Sequence, residues 1–166
     1  MEGYEGYEAF FAANYLGVVR TLWSYGGDRG VAEEAAQEAF VRASRDWRRV
    51  AWLRSPVAWV HRVGINEVNR HFRRRNARWR AMVRHGVDDH EPPRDVAGSV
   101  SLHEALRALP DRQRAALVLH YFADLPIAEI AEVLQARPGT VKSLLSRGRD
   151  ALGAQLEPAE EATDVH

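Results

Sequence analysis

Residues 126–149, PIAEIAEVLQARPGTVKSLLSRGR, decide the fold. Ile127, Ile130, Ala131 and Leu134 recur at helical spacing, and Val141, Leu144 and Leu145 mark one face of a second helix. Pro138 stands where a first helical residue is welcome, because its missing N–H would have had no partner there. Two short helices joined by a tight connection predict a helix-turn-helix. The other face of the second helix offers Thr140, Lys142, Ser143, Ser146, Arg147 and Arg149, with Arg137 just before it, and no acid. Such groups bind phosphates and base edges. The bland alternative is an ordinary helical hairpin with a solvated charged face, and the rest of the chain weighs against it.

Upstream of this stretch, Leu102, Ala105, Leu106 and Leu109 mark a helix that Pro110-Asp111 punctuates before another from Gln113 to Phe122. With the helix-turn-helix these make a four-helix unit over residues 101–155, followed by an acidic tail, 156–166. Residues 85–100, HGVDDHEPPRDVAGSV, collect Gly, Pro, Asp and Ser without periodicity, as a linker would. Residues 7–84 show no strand alternation and no proline except Pro56. Phe10, Phe11, Tyr15, Val18, Val19 and Leu22 form one helical stripe, broken by Gly26, Gly27, Asp28 and Gly30. A second helix is expected from about Val31 to Ala43, a connection over Asp46 to Ser55, and a third long helix from Pro56. That helix turns Val57, Val60, Val63, Gly64, Val68 and Phe72 inward, with the basic run continuing off its far end. The fold class is therefore all-α: two small helical domains joined by a flexible linker, the second a four-helix domain with a helix-turn-helix.

Formal charge is zero, but as the sum of unlike parts. Residues 1–38 hold seven acids against Arg20 and Arg29, whereas residues 61–84 hold eight arginines against the single Glu67. The tail from Glu157 to Asp164 has four acids and no base. Absence of cysteine excludes a disulfide framework, a thiolate zinc site and a cysteine nucleophile. An acidic N-terminus and the lack of any apolar run of membrane-spanning length indicate a cytoplasmic chain without membrane insertion. No phosphate-binding glycine loop, HExxH pair or nucleophile elbow appears, so neither catalytic residues nor a cofactor are expected. His85 and His90, with Asp88, Asp89 and Glu91, could be misread as a metal site, but a linker gives them no scaffold, and no metal is expected.

Three stretches together resemble a known family. Ala32-Glu33-Glu34-Ala35-Ala36-Gln37-Glu38-Ala39-Phe40-Val41-Arg42-Ala43 is similar to the second-region helix of the extracytoplasmic-function (ECF) sigma factors of the sigma-seventy family, among them actinobacterial SigE-like members. Pro56-Val57-Ala58-Trp59-Val60-His61-Arg62-Val63, then Asn66, Asn69 and Arg73-Arg74-Arg75, resembles their promoter-melting segment. Leu106 to Pro110 through Arg114, Glu129-Ile130-Ala131 and Gly139 to Ser143 resemble their fourth region. The resemblance implies a non-catalytic protein that binds core RNA polymerase and directs it to promoter DNA, with residues 1–84 as region 2 and 101–155 as region 4. An anti-sigma factor is a common partner in such a family, although the sequence does not itself reveal one. No small-molecule substrate is implied.

By that resemblance, Glu34, Gln37, Glu38 and Arg42 form a polar stripe for core polymerase, while Phe40 and Val41 pack partly inward. Melting a duplex costs stacking energy, which aromatic faces in a cationic groove recover by capturing unstacked bases. Trp47, Trp52 and Trp59 interleave with arginines; Trp59 is expected in the core and Trp52 at DNA. The downstream (minus-ten) contacts are assigned to Arg48, Arg49, Trp52, Arg54, Arg62, Asn66, Arg70, Arg73 and Arg74, with Arg75 completing a phosphate grip. The upstream (minus-thirty-five) element falls to Arg137, Thr140, Lys142, Ser143, Ser146 and Arg147. Two positions depart from the family pattern: Gln135 where the turn commonly has Gly, and Arg137 in place of a Ser-like cap. The leading rival is a conventional dimeric helix-turn-helix regulator with residues 7–84 as its sensor; a further one is a module that sequesters a partner without touching DNA.

Overall fold

The computed structural model describes residues 4–84 and 101–156. Among these residues there are eight helices and no strand: α1 (Tyr7–Gly26), α2 (Arg29–Arg45), α3 (Trp47–Val50), α4 (Pro56–Arg84), α5 (Leu102–Arg107), α6 (Asp111–Tyr121), α7 (Ile127–Leu134) and α8 (Pro138–Leu156). The segment read as a linker and all of the tail beyond Leu156 lie outside the described residues, as do His85, Asp88, Asp89, His90 and Glu91.

Helices α1–α4 build one lobe. Gly27 ends α1 in the left-handed region, φ 76°, and its N–H donates to the Trp23 carbonyl. Asp28 follows at once as the cap of α2, its carboxylate accepting the Val31 N–H at 3.0 Å. The break foreseen over residues 26–30 is therefore narrower than expected: Gly30 already lies within α2. Ser55 caps α4 by accepting the Ala58 N–H at 3.2 Å, and Pro56 takes the first helical position. The stretch foreseen as plain connection contains the single turn α3, which buries Trp47 and Val50. Helix α4 also continues to Arg84, so the basic run sits on the helix rather than beyond it.

Leu22, Val60 and Val68 are fully enclosed where α1, α2 and α4 meet. A Cβ at Gly64 would stand 2.7 Å from Leu22 Cδ1, so the absence of a side chain there lets α1 and α4 approach. At one end, Tyr7, Phe10, Phe11 and Tyr15 gather around Phe40 and Trp47, with Phe10 and Trp47 ring centres 5.0 Å apart. Trp47 Nε1 donates to the Glu5 carbonyl at 2.8 Å.

Helices α5–α8 form the second lobe. Ser101 and Glu104 make a reciprocal capping box at the start of α5. Leu106, Leu119, Ile130 and Val141 fill the centre, and Gly148 lets α8 lie against Leu117. The turn between α7 and α8 puts Gln135 at φ 50°, ψ 47°, the left-handed conformation that the missing glycine foreshadows. Arg112 Nη2 donates to the Leu134 carbonyl at 3.1 Å, satisfying the end of α7.

The lobes share one continuous apolar core, with α5 and α6 against α1 and α7 against α4. Ser55 Oγ donates to Glu129 Oε2 at 2.9 Å across the boundary. The Arg114 guanidinium lies 4.7 Å over the Tyr25 ring, and Tyr25 in turn donates to Asn69 Oδ1 at 2.7 Å. Sequence reading foresees two domains tied by a chain segment; the packed boundary between them is an addition that no periodicity discloses.

Candidate nucleic-acid interface

Helix α8 buries Val141, Leu145 and Gly148 and half-buries Leu144. Rotation of about 100° per residue then forces Thr140, Lys142, Ser143, Ser146 and Arg147 outward, and all five are exposed, as is Arg137 ahead of the helix. Arg149 shares this outer side but donates to the Tyr121 hydroxyl at 3.2 Å, which ties it back to α6. The expected upstream-element side chains therefore lie together on one basic, hydroxyl-rich helix face.

The expected downstream residues divide into two groups. Arg48, Arg49, Trp52 and Arg54 are exposed in and after α3, with Trp52 at 90%. An indole so open to water has no folding role to explain it and is free to stack. Arg62, Asn66, Arg70 and Arg73 or Arg74 follow at intervals of three and four along α4, which places them on one face. Arg62 is half-buried and the others are exposed. Trp47 is a core residue, and Trp59 is half-buried against the core. Asn69 points to Tyr25 instead of toward this face.

On α2, Glu34 and Gln37 are exposed while Glu38 and Arg42 are half-buried. Phe40 packs inward at 1% exposure, but Val41 faces out at 41%, contrary to expectation. Neighbours on a helix point about 100° apart, so the core can take only one of them. Arg42 is engaged rather than free: its Nε donates to Glu38 Oε1 at 2.8 Å and its Nη2 to Glu67 Oε1 at 2.7 Å. Glu38 foremost, with Glu67, holds the Arg42 pKa above the ordinary guanidinium value. Arg42, Glu34 and Glu38 line a cleft of about 420 Å³ together with Glu67, Arg70 and Arg74 from α4; Gln37 does not reach it. The expected polymerase stripe and the expected downstream arginines thus meet along the α2–α4 seam, which sequence reading did not foresee. The signal was present, since Glu67 is the one acid in the basic segment.

On the inner face of α4, His61 is buried with Nδ1 donating to the Val57 carbonyl at 2.8 Å, and Nε2 has no partner among the described residues. Burial lowers its pKa, opposed by the backbone bond. Among the described residues no group of three or more His, Asp or Glu is arranged to hold a metal ion. No described helix is long and apolar enough to cross a membrane.

Comparison with known proteins gives a consistent result. Residues 10–78 match the family described as Sigma-70 region 2, and residues 99–152 match Sigma-70, region 4. The ECF RNA polymerase sigma factor SigW of Bacillus subtilis is 31% identical over 140 residues, covering 75% of each chain. The ECF sigma factor SigC of Mycobacterium tuberculosis is 32% identical over 155 residues, covering 91% of this chain and 83% of the relative. The fold is shared with the sigma factor RpoE of Bartonella quintana, solved in complex with the anti-sigma factor NepR: TM-score 0.73 at 20% identity, over 92% of this chain and 97% of that one. None of these matches singles out a SigE-like subgroup. With both regions matched in order and the helix-turn-helix and basic α4 face in place, the chain belongs to the ECF sigma factors, and it binds core RNA polymerase and promoter DNA to direct transcription initiation.

Proposed function

We propose that residues 1–84 form the domain that docks on core polymerase and opens the downstream element, and that residues 101–155 read the upstream element. The observation that carries this reading is the pair of exposed, acid-poor faces, one on α4 with Trp52 beside it and one on α8, each on a separate lobe. Lys142, Ser143, Ser146 and Arg147 enter the major groove, with Thr140 and Arg137 toward phosphate. Trp52 receives an unstacked base, while Asn66 and Arg70 meet the strand and Arg73 and Arg74 grip the backbone. Glu34, Gln37, Glu38 and Arg42 supply the polymerase-facing stripe. The protein works in the cytoplasm without catalysis of its own, and an anti-sigma factor is a further partner, supported by the RpoE–NepR complex whose fold it shares.

In vitro transcription with core polymerase on a pool of promoter fragments tests the assignment. Lys142→Ala with Arg147→Ala should change which upstream elements are selected while leaving the downstream consensus intact. Identical start-site selection by the variant and the parent would remove α8 from upstream recognition.

A further inference from the structure

Glu67 is the only acid among the eight arginines of residues 61–84. A carboxylate beside a phosphate-binding face opposes DNA, since it repels the strand and can neutralise a neighbouring arginine. Glu67 is not loose on that face: its side chain is 18% exposed, and Oε1 accepts Arg42 Nη2 from α2 at 2.7 Å. Arg70 Nη1 stands 3.6 Å from the same oxygen, beyond hydrogen-bond length, and Arg70 is 54% exposed. One oxygen thus faces two guanidinium groups, one hydrogen-bonded and one in a longer ion pair. Glu38 takes Arg42 Nε at 2.8 Å and fixes it in this pose.

We propose that Arg42 is a positioning residue for DNA capture: by taking the hydrogen bond to Glu67 it keeps Arg70 in a loose pair that a phosphate can replace. The inference rests on the reading of Arg70 as a DNA contact. With Arg42 gone, the half-buried carboxylate loses its hydrogen-bonded partner, and the nearest cation is Arg70, on the same helix three residues away. A small side-chain rotation closes the gap and withdraws one cation from the DNA face. The docking helix α2 therefore sets the charge that α4 shows to DNA, although Arg42 itself touches no strand.

The test uses the free full-length chain, so that any part Arg42 plays in polymerase docking does not enter. Anisotropy of a fluorescein-labelled oligo-dT strand is titrated at several salt concentrations, and the slope of log affinity against log salt is read. Each phosphate contact to a single strand contributes about 0.7 to that slope. Arg42→Ala should make the slope shallower by about 0.7, as should Arg70→Ala. Glu67→Gln alone should keep the parent slope, and Glu67→Gln added to Arg42→Ala should restore it. Arg42→Gln, which keeps more of the stem, replaces the alanine variant if that one melts early by circular dichroism. A parent-like slope for Arg42→Ala, with Arg70→Ala shallower, overturns the inference and leaves the DNA reading standing. A loss of slope in Arg42→Ala that Glu67→Gln fails to restore overturns it as well, because Arg42 would then face DNA directly. A parent-like slope for Arg70→Ala overturns both.

Discussion

Glu129→Ala should loosen the two lobes from one another without unfolding either. Glu129 lies in the first turn of α7, yet its carboxylate bonds across the boundary to Ser55 Oγ at 2.9 Å. Ser55 keeps its second role in the variant, accepting the Ala58 N–H, so α4 stays capped. A hydrogen bond to a charged group contributes about 1.5–3 kcal/mol net, and because Glu129 is only half-buried the lower end applies. Since about 1.4 kcal/mol is a factor of ten, the separated population should rise roughly tenfold. The Arg114–Tyr25 contact, about 1–2 kcal/mol, and the apolar boundary remain. Separation matters because the proposed upstream and downstream faces sit on different lobes, so loosening the boundary lets them move apart toward promoter spacing; the variant should also bind promoter duplex more tightly as free protein. Because the chain has no cysteine, dyes placed at Glu8→Cys and Asp150→Cys report lobe separation by single-molecule energy transfer. An unchanged transfer distribution in Glu129→Ala would refute the argument that this bond holds the lobes closed.

Trp52→Ala should leave thermal stability unchanged, because the ring is exposed, yet weaken capture of single-stranded promoter DNA by holoenzyme by about 1–3 kcal/mol; equal strand affinity would exclude stacking. Gln135→Gly should raise stability in urea by up to about 1 kcal/mol, relief of the left-handed strain outweighing the entropy glycine adds to the unfolded chain. For His61, burial depresses the folded pKa below the unfolded value of about 6.5, so the unfolded chain takes up the proton first. Its contribution is present above about pH 6.5 and is lost as pH falls toward the folded pKa. Melting temperature should therefore drop below that pH with a steepness that His61→Leu reduces; an identical pH profile in that variant would remove His61 as the cause.

What was legible in the sequence followed from periodicity and from punctuation. Pro138, Pro56, Pro110 and the Gly27-Asp28 pair mark helix boundaries because each restricts or frees the backbone locally, and the structure uses them there. The outward face of α8 was legible for the same reason: once Val141 and Leu145 turn inward, helical geometry fixes where Lys142 and Arg147 point. Trp52 separated from Trp47 less readily, since both stand among nearby arginines, Arg48 and Arg49 between them and Arg54 beyond. Trp47 is drawn inward by the aromatic residues of α1 and by the Glu5 carbonyl, 42 positions away, and no local pattern encodes that. Val41 failed because helix spacing alone cannot choose which of two adjacent apolar residues the core accepts. The Ser55–Glu129 and Arg114–Tyr25 contacts were invisible for a similar reason: each joins residues far apart in the chain through single polar atoms or ring faces.

The formal charge of zero takes on meaning when it is mapped on this packing. Helix α4 holds eight arginines against Glu67, whereas α1 carries one charge of each sign and α2 three of each, so the acids that balance α4 are spread over the rest of the chain. Beyond about 10 Å, the screening length at 0.1 M salt, opposite charges within one small chain largely cancel. A free chain built this way exerts little long-range pull on DNA, unlike a uniformly basic one. At contact distance the cancellation is incomplete, because Arg48, Arg49, Arg70, Arg73 and Arg74 outnumber the exposed carboxylates near them, Asp46 beside Arg48 and Arg49 and Glu34 in the cleft with Arg70 and Arg74, while Arg42 holds Glu67. Phosphate contacts therefore gain strength only once a strand is already within that distance.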